Sequence, residues 1–236
     1  MIELSNDLVI KLLATVDQGL VRGMGEPVPG QMCVEAAICY ALGEGHSDKP
    51  SCVEPTVRSC KIALNDMSWS SDMARAKGMR KVAIAQLGSL GVVDAAQFAQ
   101  RLATLTIQLI VPIALRAAAA EQNEPHKSQL EDAAQACEQN PTQKTADAAD
   151  AAASATASTA AHAAARAASA ADAAAYAAAD AAAYAADAAA YAAAYAADAA
   201  AYTDEILTVF ADMILEVLIE LESPGCEYLF LCEENS

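Results

Sequence analysis

The sequence predicts an all-α protein, and three observations carry that expectation. First, apolar residues in the N-terminal half recur at helical spacing between capping and breaking residues. Second, the region 146–202 contains 39 alanines among 57 residues, and alanine has the highest helix propensity. Third, no Gly or Pro occurs between Pro141 and Pro224. The expected architecture is an N-terminal helical domain (1–120), a polar linker (121–145) and an Ala-rich helical region, rod or bundle, with a C-terminal apolar helix and tail (146–236).

Ser5 or Asn6 caps a first helix whose Leu8, Leu12, Leu13, Val16 and Leu20 share a face. It stops in GMGEPVPG. A second helix runs from about Met32 to Leu42 and ends at Gly43 or Gly45. After the loop GHSDKPSC, Pro55 suits a first helical position, since its missing N–H is not needed there. Ser70 or Ser71 caps the helix that follows NDMSWSSD and ends near Gly88. Asp94 and Gln97 resemble a capping box for the next helix, and Pro112 should kink that helix or mark its last turns. Ser128 and Glu131 form a second capping box, opening one short helix inside the linker. The tail CEYLFLCEENS reads as a short strand or a docked segment.

Within the alanine tract, sixteen of the eighteen non-alanine residues fall on one line from Asp147 to Tyr202. They span 55 residues in fifteen intervals, a mean spacing of 3.67. That is an eleven-residue period, which tracks almost straight along an α-helix. Tyr and Asp occupy the stripe and methyl groups cover the remaining faces. One unbroken helix of this length would extend roughly 85 Å at about 1.5 Å per residue. Either the tract folds back at unmarked points, or it is a rod paired with copies of itself. Close packing of alanine faces is the plain reading. Ice-binding peptides share the period but present a Thr/Ala face, which is missing here. The tyrosines, Tyr184 and Tyr191 among them, also offer rings for stacking against planar ligands.

The net charge is −17, which opposes non-specific binding of DNA or RNA. Its distribution is uneven. No Lys or Arg follows Arg166, while residues 58–101 hold seven Lys/Arg against three Asp. Within that basic stretch lies the expected ligand site. A helix N-terminus after Ser70 and Ser71 supplies backbone N–H groups, Arg58, Lys61 and Arg75 supply cations, and Trp69 supplies a ring. This would suit a small anion or nucleotide. The plain alternative is a solvated basic face with Trp69 anchoring a loop.

Seven cysteines, an odd number with no CxxC spacing, point to a reduced, cytoplasmic protein without disulfides. Cys33 near a helix N-terminus invites a nucleophile reading, but no histidine stands in a hydrolase pattern with it. Cys33, Cys39, His46 and Cys52 have irregular spacing for zinc. No cofactor is expected. The longest strongly apolar run, near Leu105–Leu115, is too short to span a bilayer and contains Gln108 and Pro112, so no membrane partner is expected.

Residues 32–92 (MCVEAAICYAL through AQLGSLGV), the Ala/Tyr/Asp tract and LIELESPGCEYLFLCE together resemble an uncharacterised family of alanine-rich helical proteins encoded by phages and bacteria. AAHAAARAA is also similar to segments of immunity proteins. The resemblance implies no activity and carries over no catalytic residue. A phage origin implies a role against host defence, through sequestering signal nucleotides or binding defence proteins. The expected function is therefore a non-enzymatic binding protein, a phage anti-defence factor that sequesters a small phosphorylated ligand and forms a homo-oligomer. The alternative is a structural or protein-interaction module whose Ala-rich helices drive oligomerisation or inhibit a host protein.

Overall fold

The structure is a computed structural model that describes residues 4–156, 158–177, 182–200 and 203–233. At 159, 175–177, 183–184, 187 and 199–200 only the backbone is described. The chain is all-helical, 71% of it in helix, with no strand among the described residues. It divides into two compact units. One holds Met1–Phe98 with Ala211–Ser236, the other Ala99–Phe210.

The first unit opens with α1 (Asn6–Val16), capped by Ser5, whose hydroxyl accepts from Leu8 N. Next comes α2 (Val34–Leu42), which ends at Gly43 with φ of 77°, a left-handed conformation that glycine adopts without strain. Pro55 begins α3 (Pro55–Asn65), as its missing N–H allows, and the Glu54 carboxylate accepts from Thr56 N and Val57 N. Ser71 caps α4 (Asp72–Ala85). Helix α1 packs on α2 and α4, and α2 packs on α3 and α4. Val9, Leu12, Ile38, Leu64, Met79 and Ile84 are fully buried among them.

The C-terminal tail forms a 3-10 helix, Pro224–Cys232, docked on α4 and α1 rather than a strand. Gly225 N donates to Leu87 O at 2.8 Å and Ser223 Oγ donates to Ala85 O at 2.5 Å. The approach leaves no room for a side chain, since a Cβ on Gly225 would lie 2.0 Å from Ile84 O. Tyr228 donates to Leu4 O and Arg80 to Cys232 O, which closes the tail onto the unit.

Helix α5 (Ala95–Leu105) begins at Asp94, whose carboxylate accepts from Gln97 N. Helical backbone then runs through a wide π turn, Thr106–Ile110, into α6 (Val111–Ala120). Pro112 neither ends the helix nor sits near its end. In a regular helix its ring would meet the Gln108 carbonyl. The π turn, in which Val111 N reaches back to Thr106 O, opens the ladder just before it. By length and composition, Ala95–Ala120 could cross a bilayer, but 67% of its apolar window is buried within the chain.

The second unit continues with α7 (His126–Gln139), α8 (Gln143–Ser154), α9 (Thr159–Ala177) and α10 (Ala182–Ala200). Helix α7 occupies the polar segment 121–145 and packs on α6 and α8. It starts ahead of the expected Ser128/Glu131 box. Ser128 instead donates to the Glu124 carboxylate at 2.7 Å. A reciprocal capping box does open α8, between Thr142 and Thr145. The tract thus contributes three helices, with α9 packed on both α8 and α10 and α6 packed on α9 and α10. Ala161, Ala164, Ala168, Ala171, Ala189 and Ala193 are fully buried at these contacts. Each buried methyl contributes only about 0.8 kcal/mol. The small side chain in return lets helix axes approach closely, and alanine has the best helix propensity. The last helix, α11 (Thr203–Glu220), begins in the second unit and ends in the first.

Candidate functional site

The sequence places its candidate site at the junction of α3 and α4, and Trp69, Arg75 and Lys61 turn inward there. Trp69 is buried and donates its indole N–H to Leu64 O at 3.0 Å. Arg75 is buried too. Its Nε donates to Asn65 O at 2.7 Å, and one terminal nitrogen donates to Leu20 O at 2.8 Å and pairs with Asp72 at 2.6 Å. The guanidinium is a tie between the start of α4, the end of α3 and the chain after α1. Ser71 is the N-cap, accepting from Ala74 N, and Ser70 is exposed.

Lys61 lies fully inside the unit, 2.6 Å from Glu35, and neither side chain has any exposed surface. Burial pushes the Lys61 ammonium below its ordinary range and the Glu35 carboxyl above its own, while each partner's charge opposes the shift. Glu35 Oε2 has no hydrogen-bond partner among the described residues, nor does the half-buried Arg58 through its Nε. The Arg58 charge also acts on Glu35. Of these six residues, Trp69, Arg75 and Lys61 are buried in contacts within the unit, Arg58 is half-buried, and Ser70 and Ser71 are exposed.

Cys33 is the N-cap of α2, where its Sγ accepts from Ala36 N. Burial raises its thiol pKa and outweighs that bond, which favours the thiol over the thiolate. Burial pushes Cys39 up to about 12 and raises Cys52 as well. His46 pairs with Gly25 O. No three His, Cys, Asp or Glu residues gather to hold a metal among the described residues. A hollow of about 630 Å³ in the first unit is lined by Leu4, Cys52, Leu90, Val92, Pro224 and Glu227 among others. Ser51 and Tyr228 also line it, but their hydroxyls donate to Glu44 and to Leu4 O, and the described lining holds no Lys, Arg or His.

The second unit has the better arrangement for an anion. Tyr195 on α10 faces Arg166 on α9, with the guanidinium carbon 4.9 Å from the ring centre. Tyr191, 53% exposed, stands one turn earlier on α10. With Ser169, Ala173 and Ala188 these residues line a groove of about 510 Å³. Arg166 meets Tyr195, and Ala173 and Ala188 line the same groove, as expected of antiparallel helices. A guanidinium over an aromatic ring can still donate through N–H groups directed away from that ring. A second hollow, about 630 Å³, adjoins on the α8 side and is lined by Asp150, Ser154, His162, Ala165, Arg166 and Ser169.

Tyr191 was singled out by the sequence and lines this groove. Tyr184 lies on α10, and its side chain is outside those described. Arg166 and His162 were not among the sequence candidates, although both lie on the 3.67-residue stripe and Arg166 is the last basic residue of the chain. Their position on the Tyr/Asp line was the available signal. Models of protein families, curated proteins and solved structures were compared with the chain, and none matches it.

Proposed function

We propose that this chain is a non-enzymatic binding protein that captures a small phosphorylated ligand bearing a planar ring, in the groove between α9 and α10. The observation that carries this reading is the Arg166 guanidinium lying over the Tyr195 ring beside the half-exposed ring of Tyr191. Tyr191 and Tyr195 offer faces to a base, and Arg166 offers a fork of donors to a phosphate. The alanine floor keeps both contacts close to the helix backbones. A charge of −17 discourages long polyanions but leaves one small anion accessible to a local cation. If the chain is phage-encoded, such capture would remove a host signal nucleotide.

Calorimetric titration with the four common nucleoside diphosphates tests the proposal. We expect saturable binding of at least one. Arg166→Ala and Tyr195→Ala should each weaken it at least tenfold, with the helical circular dichroism unchanged. Heats indistinguishable from dilution for all four would overturn it.

The alternative, an oligomerising or protein-binding module, draws on the exposure of Tyr191 beside close-packed alanine helices. It requires the combined change of Tyr184, Tyr191 and Tyr195 to Ala to alter the mass measured by light scattering. An unchanged mass counts against it.

A further inference from the structure

The two hollows on α9 are not independent, because Arg166 and Ser169 line both. His162, Arg166, Ser169 and Ala173 follow one another along a single face of α9, and the eleven steps from first to last rise about 16 Å. That is longer than a nucleoside monophosphate needs. The chemistry also changes along this line. At the α10 end stand the rings of Tyr191 and Tyr195, in the middle the Arg166 cation and the Ser169 hydroxyl, and at the α8 end Asp150, Ser154 and His162.

Resting on the reading above, we propose that both hollows form one extended site for a nucleoside diphosphate whose terminal phosphate carries a sugar. The base stacks at Tyr191 and Tyr195. The diphosphate lies along Arg166 and Ser169, where guanidinium N–H and hydroxyl donors meet its oxygens. The sugar fills the α8 hollow. Asp150 accepts there from the Ser154 hydroxyl at 3.2 Å, a long bond that leaves carboxylate lone pairs for sugar hydroxyls. His162, exposed on α9, donates or accepts according to its tautomer.

Charge selects against an anionic occupant of that hollow. Asp150 and its neighbour Asp147 both act on Asp172 across the α8–α9 seam, so a further phosphate would enter a negative field. A neutral polyol avoids that penalty and can still donate to the Asp150 carboxylate.

The test titrates the full chain with matched pairs: adenosine diphosphate against adenosine diphosphate-ribose, and uridine diphosphate against uridine diphosphate-glucose. The sugar-bearing member of at least one pair should bind at least tenfold more tightly. Asp150→Asn and His162→Ala should each remove most of that difference and leave the diphosphate affinity within about twofold, while Arg166→Ala weakens both members. Because His162 is exposed, its variant reports on binding even if the Asp150 change disturbs the seam. Equal affinities within both pairs, or a preference that survives both substitutions, overturns the extended site and leaves the groove reading intact. No binding by either member of either pair overturns the extended site, and the groove reading falls with it only if the other two common nucleoside diphosphates also fail to bind.

Discussion

Replacing Lys61 by methionine would leave the Glu35 carboxylate inside the first unit without its cation. Both side chains have no exposed surface, the pair is 2.6 Å apart, and Glu35 Oε2 has no other donor among the described residues. Methionine keeps most of the lysine stem, so cavity formation is a minor part of the cost. Removing one partner of a buried pair typically costs about 3–5 kcal/mol. With urea slopes of about 1–3 kcal/mol/M, the midpoint should fall by at least about 1 M. Trp69, the chain's one tryptophan, is buried at the α3–α4 junction, so its fluorescence reports on this unit. Glu35→Met should cost a similar amount, because it strands the ammonium. The double variant, Glu35→Met with Lys61→Met, should recover to within about 1 kcal/mol of the parent, since it also removes the desolvation penalty. The pH dependence separates the two single variants. In Lys61→Met the orphaned carboxyl, raised by burial, is tolerated when protonated, so the deficit shrinks as pH falls. In Glu35→Met the orphaned ammonium, lowered by burial, is tolerated when neutral, so the deficit shrinks as pH rises. A parental midpoint in either single variant, or a double variant as unstable as the worse single, would refute the reasoning.

Three further outcomes follow from other parts of the chain. Asp172 is raised by burial first and then by the Asp147 charge across the seam. A raised carboxyl contributes stability at acid pH that is lost as pH rises through its folded value. Asp172→Asn should therefore raise the thermal midpoint of the second unit at pH 7, followed by far-ultraviolet circular dichroism, with the gain vanishing at pH 4; no gain at pH 7 contradicts this. Gly225→Ala puts a methyl against Ile84 O and should cost about 2 kcal/mol, read as a lower urea midpoint of Trp69 fluorescence. Cys33, Cys39 and Cys137 are buried thiols raised by desolvation, and they should react with a thiol-labelling disulfide only after urea unfolding. Rapid native labelling of Cys33 would reopen the nucleophile reading.

Much of the local structure was legible because it depends on neighbours in sequence. Ser5, Ser71, Pro55, Gly43 and Asp94 act where their capping chemistry places them. The Ser128/Glu131 box does not open the helix, because α7 already begins at His126 and Ser128 donates to the Glu124 carboxylate. Pro112 passed inside a helix because a π turn, which leaves no mark in the apolar pattern, makes room for it. The site was less legible. A basic run with a tryptophan looks the same whether its cations face solvent or tie loops together. Only burial distinguished Arg75 and Lys61, held by carbonyls and a carboxylate, from a binding cluster.

By itself the sequence determined that the chain is helical. A 3.67-residue stripe on an alanine background, with no Gly or Pro from 142 to 223, satisfies the backbone within each segment and admits little else. Which stripe residues face one another was decided only by tertiary structure. Alanine faces are nearly interchangeable, so the period alone allows many registers between α8, α9 and α10. The antiparallel register that sets Arg166 against Tyr195, and His162 beside Asp150, rests on contacts between segments distant in sequence. A one-dimensional repeat does not encode that choice.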